Sequence, residues 1–78
     1  MPDLATELSH LELADAHIQQ AHGNIDAVSK RIAADESNGL DLTESLTTLE
    51  TLQGTLKAFE GHRALIVRTI DDIRSGRI

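Results

Sequence analysis

Ser37-Asn38-Gly39-Leu40-Asp41 decides how this chain folds. Asn38-Gly39 suits a helix stop, because Gly and Asn accept the left-handed conformation that closes a last turn. Asp41 followed by Glu44 suits a helix start: the carboxylate accepts from a first-turn N–H, and the glutamate three residues on reaches back. A stop and a start within five residues turn the chain back on itself. Helical patterns of similar length lie on both sides, so the expectation is an antiparallel two-helix hairpin. Its helices span about residues 3–37 and 41–75, its turn spans 37–41, and residues 1–78 form a single domain.

Upstream of the turn the pattern is heptad. Leu4, Leu11, Ile18, Ile25 and Ile32 recur every seven residues, and Ala14, Ala21 and Val28 fall three after a member of that series. This is an a/d seam of period 3.5. Pro2-Asp3 reads as the helix opening, with Asp3 and Glu7 complementing the positive helix end. Downstream, Leu49, Leu52, Leu56, Phe59, Arg63, Ile66, Ile70 and Ile73 alternate in steps of three and four. Leu42 and Leu46 continue the apolar pattern towards the turn, Arg63, Arg68, Arg74 and Arg77 populate the cation-favouring C-terminal half, and Ser75-Gly76 reads as the stop. Pairing about the turn brings together residues whose numbers sum to about 77. On that rule Ile18 meets Phe59, Leu11 meets Ile66 and Leu4 meets Ile73, while small Ala14 and Ala21 face larger partners.

The chain has 78 residues, no cysteine and one aromatic residue, Phe59. A hairpin has one seam and no enclosed interior, and domains this small need a disulfide, a metal or self-association. Disulfides and thiolate metal sites are excluded by composition. The apolar stripe is also wider than one seam requires, because Leu8, Leu13, Leu46, Leu65 and Val67 lie beside it. Assembly into a four-helix bundle or larger homo-oligomer, as a homodimer or a dimer of dimers, is the predicted resolution. Ala16, Gly23, Gly54 and Gly61 fall at outward heptad positions and read as a face that another helix approaches closely. Gly inside a helix costs about 1 kcal/mol relative to Ala, so a packing role would account for it, against tolerated surface residues as the alternative.

The formal net charge is −6, from 13 acidic and 7 basic residues. The imbalance is concentrated upstream: residues 1–38 carry seven acids and two bases, residues 39–78 six and five. That balance argues against nucleic acid or an anionic membrane as partner. No apolar run approaches the roughly 18 residues of a membrane span. The acidic N-terminus lacks the basic and apolar regions of a secretory signal, so a cytoplasmic location is expected.

Chemistry-bearing residues are few. Asp15, His17, His62 and Arg63 form the polar break in the seam, Arg63 at an apolar position with Asp15 opposite. The arrangement reads either as an inter-helix ion pair that holds register or as a polar pocket for an anion or a partner carboxylate. No metal or cofactor is expected. His10 and His17 are two turns and about 10 Å apart, and His17 and His22 diverge by about 140°. Glu7-x-x-His10 has the spacing of a di-iron carboxylate motif, but the facing seam near Ile66–Ile73 supplies no glutamate. With no cysteine nucleophile, Gly-rich phosphate loop or strand-borne nucleophile, no enzyme is expected.

Three resemblances bear on function. Ser9-His10-Leu11-Glu12-Leu13 resembles the histidine box of sensor-kinase dimerisation domains, although the acidic residue does not directly follow the histidine and the Arg and Pro of that box are absent. Phosphatases of response regulators are also acidic two-helix hairpins, but in place of their Ser-Gln-Glu-Leu-Asp motif this chain has Thr47-Thr48-Leu49-Glu50-Thr51. The stretch Leu11 to Ile18, then Gly39-Leu40-Asp41, then a Leu-rich helix ending in His62-Arg63 resembles a group of short proteobacterial helical-hairpin proteins of unknown function. That resemblance implies a bacterial origin and marks Asp15, His17, His62 and Arg63 as its polar positions. The expected role is a non-enzymatic protein–protein interaction or regulatory hairpin, with itself as partner and another protein as a further candidate. The alternative is a bacterial signalling accessory acting in phosphotransfer or as a response-regulator phosphatase.

Overall fold

Two Schellman closures set the length of the helices. In a computed structural model, which describes residues 2–77, helix α1 spans Leu4–Ser37 and helix α2 spans Thr43–Arg74. Gly39 takes φ +70°, its N–H bonds the Glu36 carbonyl, and the Leu40 N–H reaches the Asp35 carbonyl at 2.9 Å. Gly76 repeats the device at φ +77°, with Arg77 N–H on the Asp72 carbonyl at 2.8 Å. Both glycines are used because an L side chain at positive φ is strained.

The starts differ in detail from the expectation. Asp3 is the cap of α1: its carboxylate accepts from the Thr6 N–H and the Thr6 hydroxyl, and Pro2 therefore precedes the helix rather than opening it. At α2 the cap position falls to Leu42, whose backbone is already near helical at φ −96°, ψ −3°. Asp41 sits one residue earlier and engages Thr43, taking its N–H at 3.0 Å and its hydroxyl at 2.7 Å. The expected reach-back partner, Glu44, lies beyond this turn; the helical ladder begins with Leu46 N–H on the Leu42 carbonyl. The physical reason is that an Asx turn satisfies the same free donors with a shorter loop.

The seam follows the heptad. Ala14, Ala21, Ile66 and Ile70 are buried, and Leu4 and Leu11 pack against the Ala14–Ile66–Ile70 cluster. Most other apolar seam residues, from Ile18 to Ile32 and from Leu42 to Phe59, are half-buried, because a single helix covers only one side of each. Arg63 on Asp15 and His17 on Phe59 give pair sums of 78 and 76, so the register is the one the turn dictates. Phe59 meets the ring of His17, adjacent to the Ile18 that simple pairing selects.

The result is a rod of 58 × 15 × 15 Å with a radius of gyration of 17.6 Å. A compact 78-residue domain would have about 11.5 Å. Among the described residues there is no strand, and no helix is long and apolar enough to cross a membrane.

Candidate interaction surface

In an antiparallel pair the positions beside the seam fall on two sides of the rod: e positions flank a on one side, g positions flank d on the other. Two contacts identify those sides here. The Arg63 guanidinium crosses the seam to the Asp15 carboxylate, an e position, on the first side. On the second side His17, a g position, stacks on Phe59 with ring centroids 5.3 Å apart and planes at 29°.

The predicted polar layer is therefore divided. Asp15 and Arg63 form an ion pair whose side chains are 53% and 42% exposed, so water screens it and its contribution is about 0–1 kcal/mol. His17 lies across the seam from that pair and stacks against the Phe59 ring. His62 is exposed and shares the g side with His17. The four residues do not converge on a common pocket.

Three polar seam positions escaped the sequence reading, although continuing the heptad from Leu11 and Leu49 reaches all of them. Glu7, Asp35 and Ser45 occupy d positions and are half-buried. Glu7, 16% exposed, contacts His10 Nδ1 at 3.4 Å. Asp35 faces Arg31 at 3.9 Å. These two residues and Ser45 make each end of the seam polar. Beside the turn they leave an open notch of about 140 Å³ between the helices, lined in part by Arg31, Asp35, Asp41 and Glu44. It is smaller than the 300–1,000 Å³ typical of ligand clefts, and it lies far along the rod from the Asp15–Arg63 pair. The Asp41 carboxyl there is held below the usual carboxylate range by the Thr43 N–H and then by the Thr43 hydroxyl. No group of three or more potential metal ligands exists among the described residues.

The residues expected to form an oligomer face separate into three sets. Leu8, Leu46 and Val67 occupy e positions on the Asp15–Arg63 side; Leu8 and Leu46 are exposed and Val67 is half-buried. Leu13 and Leu65 occupy c positions beyond the g residues on the His17–Phe59 side, and at 56% and 63% they are more exposed than Leu8 at 40%. Ala16, Gly23, Gly54 and Gly61 occupy f positions, diametrically opposite the seam on each helix. Ala16 and Gly23 thus lie along one outer edge of the rod, Gly54 and Gly61 along the opposite edge. A Cβ added at Gly23, Gly54 or Gly61 meets nothing within 4 Å, so the hairpin itself does not require these glycines.

Among the described residues no buried side-chain polar atom lacks a partner, and exposed leucines lie on two sides of the rod. Neither a family model nor a curated protein nor a solved structure matches this chain.

Proposed function

We propose that this chain acts as a protein–protein interaction module, works without chemistry of its own, and does so as a homo-oligomer of the four-helix-bundle kind. The observation that carries this reading is the imbalance between seam and surface. Among the described residues four are buried, while five leucines (Leu8, Leu13, Leu40, Leu46 and Leu65) are 40–63% exposed. Burying a leucine fully stabilises by about 1.5–3 kcal/mol, and a domain of this size has only about 4–12 kcal/mol of net stability. Covering the exposed 40–63% of three of those side chains would add about 2–6 kcal/mol, a large fraction of that total. The acidic surface supports a protein partner over nucleic acid or anionic membrane.

Sedimentation equilibrium across a wide protein concentration range tests the reading. The expected result is a species of two or four copies, with a melting temperature that rises with concentration, because association couples to folding by mass action. A monodisperse 8.5 kDa monomer that melts cooperatively at the same temperature at every concentration would overturn it.

A further inference from the structure

The rod's two sides differ in charge. On the Asp15–Arg63 side, between Glu12 and Asp26 on α1 and between Glu50 and Val67 on α2, the e and b positions carry Glu12, Asp15, Asp26, Glu50 and Glu60 against Lys57, with Arg63 at the adjoining a position. On the His17–Phe59 side, stepping by three and four from His10 to Ala27 on α1 and from Thr48 to Thr69 on α2, every c and g position is free of Asp, Glu, Lys and Arg. Charged groups return only towards the ends, with Arg31 and Glu44 near the turn and Asp72 near the open end. A centre depleted of charge inside a charged rim is the compositional mark of an interface. Leu13 and Leu65 rise from the half of that strip nearer the open end.

We propose that a second copy of this chain docks on the His17–Phe59 side, with Leu13 and Leu65 of each copy buried at the contact. The inference rests on the association reading above and specifies its surface. Each chain carries −6, so close contact is less opposed where the middle of the face holds no carboxylates; that is true of this side and not of the other. The area also fits one further copy. The hairpin exposes 5661 Å², whereas a compact monomer of this mass exposes about 4,650 Å². The surplus of about 1,000 Å² is close to the roughly 800 Å² that each partner contributes to a standard stable interface. One side of a 58 × 15 Å rod supplies that much. A two-fold contact also brings the same charge-free strip to both molecules, so one set of residues satisfies both halves.

Charge insertion on the two sides, read by sedimentation equilibrium with helicity followed by circular dichroism, decides the matter. Leu13→Glu and Leu65→Glu should keep their helicity and weaken association by about 100-fold, since burying a carboxylate at the centre of an interface removes a hot spot and adds a desolvation cost. Leu8→Glu, on the opposite side, should stay within about threefold of the parent. Because the chain has no cysteine, a single Ala58→Cys on the proposed face and a single Lys57→Cys on the other can each take a spin label. The Ala58 label should show strong dipolar coupling between copies and the Lys57 label much weaker coupling; this readout stands even where a Glu variant fails to fold. An oligomer that survives Leu13→Glu and Leu65→Glu, or stronger coupling at Lys57, would overturn this face while leaving association itself intact. A monomeric parent would overturn both.

Discussion

Replacing Arg63 by leucine should leave the hairpin about as stable as before. Arg63 occupies an a position in a seam that is otherwise mostly apolar, and its side chain is 42% exposed. A leucine covered to the same degree would gain a little over half of a full burial, about 0.9–1.7 kcal/mol. The arginine methylenes already cover part of that surface, so the net apolar gain is about half as large. Against it stands the Asp15–Arg63 pair, which at this exposure contributes about 0–1 kcal/mol. Asp15 is itself 53% exposed, so water resolvates it when its partner goes, and no stranded buried charge results. The balance lies between about −0.5 and +1 kcal/mol, a change of about −4 to +8 °C in melting temperature for a domain of this size. Thermal and urea unfolding at one fixed protein concentration would measure it. A cycle with Asp15→Ala should give a coupling below about 1 kcal/mol. A loss above about 1.5 kcal/mol in Arg63→Leu, or a coupling above about 2 kcal/mol, would refute the reasoning, because it would mean that the pair is shielded from water by something the hairpin alone does not supply.

The glycines should divide by backbone conformation. Gly39→Ala places a Cβ at φ +70° and should destabilise by about 1–2 kcal/mol by chemical denaturation, whereas Gly54→Ala, in a helix interior with open space around it, should stabilise by about 0.5–1 kcal/mol. Destabilisation and a smaller oligomer in Gly54→Ala would instead mark that outer edge as a close helix contact. Since the Asp41 carboxyl is depressed in the folded chain, its cap contributes above the ordinary carboxylate value of 3.8 and fades as pH falls through the lower folded value. Asp41→Asn should flatten that part of the acid-unfolding profile, and an unchanged profile would show that the cap is unused.

Hairpin, turn and register were legible in the residues themselves, because each depends on local chemistry or on period. Gly39 announces its own left-handed turn, the seven-residue recurrence of Leu4 to Ile32 selects the seam, and a five-residue connection leaves only one antiparallel register. Asp15 opposite Arg63 followed from the same arithmetic. Side was not legible. A list of apolar or small residues near a seam does not say which of two sides each one takes, so Leu8, Leu13 and Gly23 looked like parts of one surface. Only the packed pair of helices separates them, since e, c and f positions point in directions that differ by 60° or more once a partner helix fixes the origin. The cap at Asp41 and the ring of His17 on Phe59 belong to the same class: a sequence names the groups able to make such contacts, and the meeting of two backbones at fixed distance and angle selects which of them do.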